Sequence, residues 1–405
     1  MYALKNNVYM VKGFKAACIY DINTCSLYHI NMNLYNWIDE LISRNEELKD
    51  YTLPEKEILT QLLAQDILEE VNVRVPQPNL PKKISRPEFA WIEITTQCNL
   101  KCIHCYDESD ITCTKQMSME DYGIAIRELK SLGIKRVQII GGEPFMVGSK
   151  LRDMLSTAVA NFDSVEIFTN GTMLTDRWAE FFSENKIKVA LSVYSYDPIE
   201  HDKVTGQRGS HALTNQAIMR LRENGVKYRV CNVLMKGIDL KDRNTDLYTL
   251  SDKRDIVRLA GRADMQLLSR NLIRKKIITE ESFSYELNPQ LFYKLCNENN
   301  CFGSKLYISA DMEVYPCVME RRISHGNLKN SDLKNLLNDT ILKLGKDHIE
   351  GCKDCEYRYA CFDCRANSMS NNIYEKPWYC TYNPYLGEWE DPDQFIERLF
   401  DLDYS

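Results

Sequence analysis

The chain has 405 residues, 44% hydrophobic and 27% charged, enough apolar material for two or three domains with sizeable cores. A formal net charge of -7 argues against a nucleic-acid-binding protein, and the basic stretch "RNLIRKK" at 270–276 reads as solvated surface. No apolar run of about 18 residues predicts a transmembrane helix. The start "MYALKNNVYM" lacks a secretory pattern, so a cytoplasmic location is expected.

Residues 1–75 predict strands at "NVYMVKGF", "AACIYDI" and "CSLYHIN". Helices follow at "NLYNWIDELIS" and "PEKEILTQLLAQDI", the second with Pro54 in its first turn. The pattern suggests a small winged-helix-like α+β domain. The acidic "DELISRNEELKD" reads as a solvated helix face. Pro76, Pro78, Pro81 and Pro87 then mark a linker over 76–87.

From 88 to 285 strands alternate with helices. The strand candidates are "FAWIEIT", "KRVQII", "SVEIFT", "KVALSV", "KYRVCNVLM" and "ADMQLL". Helices are expected at "MEDYGIAIRELKSLG", "LRDMLSTAVANF", "DRWAEFFSEN" and "HALTNQAIMRLRENG", with Gly133 and Gly225 as helix stops. Such alternation implies a parallel sheet with right-handed crossovers. Six units fit an open, partial (β/α)6 barrel; a doubly wound sheet is the alternative. In both, function gathers at the C-terminal ends of the strands. Residues 286–405 have short elements and dense cysteines, the pattern of a loop-rich domain held together by metal.

Fifteen cysteines in a cytosolic chain read better as metal ligands than as a disulfide framework. "CNLKCIHCY" places Cys98, Cys102 and Cys105 in C-x3-C-x2-C spacing after the first barrel strand. Iron–sulfur clusters are normally held by four cysteines, so three thiolates leave one iron open. A zinc site borrowing His104 or Cys113 is the competing reading. "IIGGEPF", at 139–145, ends the second barrel strand. Its two glycines allow close backbone approach, and Glu143 offers a carboxylate suited to a ligand ammonium group.

Together these motifs closely resemble the radical S-adenosylmethionine (SAM) enzymes, over residues 88 to about 235. The resemblance implies that Cys98, Cys102 and Cys105 are catalytic and hold a [4Fe-4S] cluster whose fourth iron is chelated by SAM. Cleavage of SAM would give a 5′-deoxyadenosyl radical that abstracts a substrate hydrogen. Gly141, Gly142 and Glu143 would contact the methionyl amine, and His104 and Tyr106 would lie near the adenine. Thr169 and Asn170 of "FTNGT" and Ser192 of "ALSVYS" would line the pocket. In "HDKVTGQRGS" Thr205 stands where the family often has a carboxylate-binding Arg, and Arg208 is the substitute.

The later cysteines run Cys296-x4-Cys301-x15-Cys317, then Cys352-x2-Cys355-x5-Cys361-x2-Cys364, then Cys380. By spacing alone the two C-x2-C pairs also suit a zinc ribbon. Behind a radical SAM core they resemble a SPASM domain with two auxiliary [4Fe-4S] clusters. Cys296, Cys301, Cys317 and Cys364 would hold the first, and Cys352, Cys355, Cys361 and Cys380 the second. Met312, where Gly is usual, and the last x2 spacing depart from that pattern. Of the other cysteines, Cys18 and Cys231 are expected in the core, Cys25 in a turn, and Cys113 is a candidate for a site role.

The N-terminal unit resembles the precursor-peptide recognition element of peptide-modifying members, where a leader peptide adds a strand to a sheet edge. The implied function is maturation of a ribosomally made peptide by a thioether, ether or C–C cross-link. The implied partners are a leader-bearing precursor, a flavodoxin or ferredoxin reductant, and an ATP-grasp peptide ligase, as in the grasp-with-spasm group. A peptide epimerase and an anaerobic sulfatase-maturing enzyme are alternatives. The latter usually has an Asp where this chain has Val318. A zinc-stabilised peptide-binding protein without catalysis is the alternative of another class.

Overall fold

The computed structural model describes residues 1–43, 52–73, 75–76, 78–82, 86–253, 255–299, 301–362, 364–367 and 370–401. Residues 44–50 of the expected acidic helix face, and 77 and 83–85 of the expected linker, lie outside them. The chain opens with β1 (Tyr2–Leu4), β2 (Val8–Lys12), β3 (Ala16–Asp21) and β4 (Ser26–Asn31). Helices α1 (Met32–Ser43) and α2 (Leu53–Ala64) follow, then β5 (Leu68–Glu70), which pairs antiparallel with β1.

Strands β2, β3 and β4 form an antiparallel sheet covered on both faces. Side chains alternate across a strand. Val8, Ala17, Ile19 and Ile30 therefore meet Ile38, Leu41 and Leu59 of the two helices. Tyr9, Val11, Cys18 and Tyr20 face the other way, onto Phe292, Leu295, Tyr357 and Tyr382. Cys18 is fully buried, as expected.

The alternating region begins with β6 (Phe89–Glu93), α3 (Met119–Leu132), β7 (Arg136–Ile140), α4 (Lys150–Asn161) and β8 (Ser164–Thr169). It continues with α5 (Asp176–Glu184), β9 (Lys188–Ser192), α6 (Pro198–Thr205), α7 (Ser210–Glu223) and β10 (Tyr228–Cys231). Gly133 closes α3 with φ 89°, a conformation glycine adopts without strain. Helices α8 (Arg270–Lys276) and α9 (Pro289–Leu295) precede β11 (Lys305–Ile308), β12 (Glu313–Tyr315) and β13 (Gly326–Asn327).

The eight strands β6–β13 form one sheet in the order β10-β9-β8-β7-β6-β11-β12-β13, with the first six parallel. From β6 to β10 the order never reverses. Right-handed crossovers in one direction put every helix on the same face, giving a partial barrel and not a doubly wound sheet. Ala90, Ile92, Val137, Ile139, Val165, Ile167, Val189 and Leu191 face the helices.

The sixth parallel strand differs from expectation. "ADMQLL" is no strand: the Asp264 side chain accepts from Gln266 N at 2.8 Å and starts a 3-10 turn at Met265–Leu267. The sixth strand is β11, beside β6 at the opposite edge. The barrel sheet thus crosses the boundary expected at 285. Past β10 one more parallel bridge joins Leu234 to Ile256.

Candidate active site

The C-terminal ends of β6–β10 surround a chamber of about 330 Å³. Cys98, Cys102 and Cys105 line it together, on the loop between β6 and α3. That loop is held at several points. Cys98 N donates to Asp110 O at 3.0 Å, and Ile103 N to Val204 O at 3.0 Å. Arg262 clasps it from the far side, donating from Nε to Cys102 O at 2.9 Å and from a terminal nitrogen to Ser109 O at 2.7 Å. Its backbone N–H adds Cys105 O at 3.0 Å.

The glycine pair explains itself by contact. Gly142 N donates to Thr95 O and Glu143 N to Gln97 O, both at 2.8 Å. A Cβ on Gly141 would stand 2.5 Å from Thr95 O, and one on Gly142 2.5 Å from Gln97 O. Only glycine lets β7 pass so close to the cysteine loop. Both glycines also line the chamber, as do His104, Tyr106, Thr169, Asn170 and Ser192.

Glu143 stands behind that wall, fully buried. Its carboxylate accepts from Thr169 Oγ1 at 2.7 Å, Asn170 N at 2.8 Å and Phe145 N at 3.2 Å. Burial pushes it up to about 7. It fixes the two neighbours that reach the chamber. Asn170 Nδ2 in turn donates to Asn99 Oδ1 at 2.9 Å.

Arg208 does not reach the site. It is exposed on the turn after α6, and Thr205 lines the chamber instead. Arg258, from the segment after the Leu234–Ile256 bridge, lines it too. Tyr194, His201 and Cys231 are further wall residues. Cys231, expected in the core, ends β10 with its side chain in the chamber. The signal for Tyr194 and Cys231 was their position at or just past a strand end; nothing local marks Arg258.

The barrel lumen has a polar floor. Trp91 Nε1 donates to Gln138 Oε1 at 2.8 Å, and Gln138 Nε2 donates to Glu166. Arg229 grips Glu166 through two bonds of 2.9 Å and reaches Cys231 Sγ at 2.7 Å. Trp91 and Gln138 line both the chamber and a larger cavity of about 1110 Å³ below. This chain of bonds therefore divides the lumen.

Burial raises all three chamber thiols, Cys102 to about 12. Without metal they keep their protons at neutral pH, and ligation must displace them. Burial holds His104 down at about 4, and its ring meets Tyr194 edge-on at 4.7 Å. Among the described residues, no three His, Cys, Asp or Glu side chains are arranged for a single metal ion. Three thiols around a cavity suit an iron–sulfur cluster, with space left beside it for a small molecule.

Of the later cysteines, Cys352, Cys355, Cys361 and Cys380 line one small cavity, with Lys346 Nζ 3.0 Å from Cys361 Sγ. Cys317 neighbours Cys301 and Cys364. Cys296 caps α9 against the aromatic residues under the N-terminal sheet, beside Asp347 and Arg358. Cys113 lies outside the chamber wall, 4.0 Å from Asp110 Oδ1.

Residues 92–247 match the model of the radical SAM superfamily. The chain carries a radical SAM domain. Such a domain implies a [4Fe-4S] cluster and SAM. The chain is 28% identical over 323 residues to the antilisterial bacteriocin subtilosin biosynthesis protein AlbA of Bacillus subtilis, covering 73% of this chain and 71% of AlbA. It is 24% identical over 352 residues to the Fe-coproporphyrin III synthase of Methanosarcina barkeri, covering 72% and 87%. Among solved structures, Streptococcus suis SuiB superposes with a TM-score of 0.56 at 14% identity, over 94% of this chain and all of SuiB. SuiB has also been solved bound to its precursor peptide SuiA. The radical SAM domain thus sits in an α/β fold shared with SuiB. No helix among the described residues is long and apolar enough to cross a membrane.

Proposed function

We propose that the chain matures a ribosomally made peptide by forming an intramolecular cross-link. The observation that carries this is the similarity to AlbA, named for bacteriocin biosynthesis, over 73% of the chain. The N-terminal sheet supports it. Among the described residues its strands β2 and β4 each pair only with β3, leaving edges to which a leader peptide can add a strand. The fold is that of SuiB, which has been solved with a precursor peptide.

When bound, the cluster and SAM supply a 5′-deoxyadenosyl radical that takes a hydrogen atom from the peptide. The chain's own residues do the rest. Cys98, Cys102 and Cys105 hold the cluster. Gly141, Gly142, Thr169, Asn170 and Ser192 form the wall against SAM, with Glu143 fixing Thr169 and Asn170. His104 and Tyr106 flank the adenine. The floor from Trp91 to Arg229 keeps the lower lumen apart from the radical chemistry. Cross-linking also releases a proton and an electron, and the eight later cysteines would hold two auxiliary [4Fe-4S] clusters to take the electron. In this reading residues 286–405 form the SPASM domain and residues 1–75 the recognition element. A flavodoxin or ferredoxin would supply the electron that such a cluster needs, and an ATP-grasp ligase would act on the same peptide. Val318 lines the chamber and has no proton-accepting group, which disfavours the sulfatase-maturing alternative.

The test is co-expression with a short peptide encoded beside this protein, followed by mass spectrometry. A loss of two hydrogens supports the cross-link. An unmodified mass with one solvent deuteron incorporated replaces it with epimerisation. Iron analysis of anaerobically purified protein checks the three clusters, at about twelve irons per chain.

A further inference from the structure

A buried ammonium group is aimed at one of the later cysteines. Lys346 is 3% exposed, and its Nζ stands 3.0 Å from Cys361 Sγ. Burying a charge is costly unless an opposite charge or a strong acceptor meets it. Cys361 belongs to the small cavity that Cys352, Cys355 and Cys380 also line, and Lys346 forms part of its wall. Cys355 lies close enough to Cys352 and Cys361 to feel both electrostatically. Four thiols around one cavity fit the ligand count of a closed [4Fe-4S] cluster.

The lysine is placed by its backbone. It opens a 3-10 turn, Lys346–His348, and Ile349 N donates back to Lys346 O at 3.1 Å. Leu344 and Ile349 anchor both sides of the turn in the core around Cys352. Asp347 is fixed by Arg358 Nε and Tyr359 OH, each at 2.9 Å. Two other cations on the wall are directed elsewhere: Arg358 to Asp347 and Lys12 O, and Lys376 to Tyr382 O at 2.8 Å. In the chamber, by contrast, Cys98 Sγ accepts from neutral groups, Leu100 N at 3.4 Å and Asn170 Nδ2 at 4.0 Å. A thiol is only a weak acceptor. A cluster held by four thiolates is an anion, and a donor to its sulfur stabilises the reduced, more negative form. The placement of Lys346 therefore suits a thiolate-bound cluster better than free thiols.

We propose that Lys346 is the cationic partner of the cluster held by Cys352, Cys355, Cys361 and Cys380, its ammonium donating to the Cys361 sulfur and raising the reduction potential of that cluster. The proposal rests on reading those four cysteines as cluster ligands. The step concerned is the uptake of one electron; no bond forms or breaks.

The experiment uses the full-length chain with Cys98, Cys102 and Cys105 replaced by Ala and reconstituted with iron and sulfide, so that only the auxiliary clusters are read. Lys346→Gln, Lys346→Met and Lys346→Arg are compared with this parent by iron content and by dithionite titration followed by electron paramagnetic resonance. The parent should hold about eight irons and reduce in two steps. Loss of one charge-assisted bond predicts that both neutral variants reduce one cluster at least about tenfold less favourably, a fall of about 59 mV for one electron. The other step should stay in place, and Lys346→Arg should recover part of the shift. Neutral variants with full iron and unchanged potentials overturn the proposal, as does an equal shift of both steps. If both neutral variants lose about four irons while Lys346→Arg keeps them, the charge is a condition of holding that cluster, which supports the contact. Loss by all three makes the role structural and overturns it. A parent chain that takes up zinc and no iron overturns the cluster reading itself, and the proposal with it.

Discussion

Glu143 and Thr169 join the ends of two neighbouring barrel strands through a buried hydrogen bond of 2.7 Å, Thr169 Oγ1 to Glu143 Oε1. The bond makes the acid of "GGEP" a positioning group, with its carboxylate behind the chamber and not in it. Its effect reaches the chamber through Thr169 and Asn170, which do line the wall.

The buried acid gives a pH signature. Its folded value is about 7, against an ordinary 4.5, and burial is the dominant cause. A raised folded value means that the native state binds the proton more tightly than the unfolded chain. The stability from that protonation is complete below about 4.5 and is lost as pH rises through about 7. Glu143→Gln cannot titrate. The wild-type stability minus the variant's should therefore fall between pH 4.5 and 7, by at most about 1.4 kcal/mol per unit. Chemical denaturation across that range checks it; a flat difference would refute the assignment.

Two glycines should respond to alanine with opposite signs. At Gly142 the new methyl would meet the backbone carbonyls of Gln97 and Thr96, at 2.5 and 2.6 Å, and neither can swing aside. Gly142→Ala should cost about 1–3 kcal/mol and lower iron retention at the chamber, because the displaced segment carries Cys98. At Gly123, inside α3, the nearest atom to the methyl is the Arg127 guanidinium at 3.7 Å. Gly123→Ala should stabilise by about 0.5–1 kcal/mol through helix propensity. Melting temperature and iron per chain separate the two.

Residues 1–75 should not be removable without harm. The face of the N-terminal sheet carrying Tyr9, Val11, Cys18 and Tyr20 covers Phe292, Leu295, Tyr357 and Tyr382. Tyr20 OH also donates to Glu356 O at 2.8 Å, and Arg358 donates to Lys12 O at 2.9 Å. Truncation uncovers a contiguous aromatic patch of the kind that drives association. The truncated chain should aggregate on size-exclusion chromatography, while a full-length chain altered only at the outer edge of β4 stays monodisperse. A soluble, well-behaved truncation would show the contact to be dispensable.

What could be read in the sequence was local. Cysteine spacing located the chamber loop, and the short apolar runs of "NVYMVKGF" and "AACIYDI" predicted strands, whose sheet is buried on both sides. What escaped depended on chain paths. Helix α6 carries its own start signal in "YDPIE", where the Asp197 side chain accepts from Ile199 N at 2.6 Å and Pro198 opens the first turn, yet its short apolar pattern hid it. The sixth strand was sought in "ADMQLL" because apolar runs of that length do not distinguish a strand from a turn over a core. It comes instead from 305–308, across the sheet. Arg258 is one of many arginines until tertiary structure sets it in the wall that also carries Cys98, whereas Arg208, near the motif in sequence, stays outside.

Arg321 is the last test, because it holds together charges that would otherwise repel. Its guanidinium lies 3.1 Å from Asp107 and 3.6 Å from Glu93, and stacks 4.3 Å over the Tyr307 ring. Glu93 is 2% exposed and is pushed up to about 7, first by burial and then by Asp107. Ala310 N donates to it at 3.0 Å, which ties β6 to the turn after β11. Arg321→Met keeps much of the volume but leaves two carboxylates side by side with no cation between them. Breaking a buried pair from one side costs about 3–5 kcal/mol; partial exposure of Arg321 places the expected loss near the lower figure. Replacing Glu93 by Gln in the same chain removes the repulsion and should recover a large part of that loss. A double-mutant cycle in urea measures the coupling. Additive effects of the two substitutions would mean that Glu93 and Arg321 do not interact, and that Asp107 alone is the partner of Arg321.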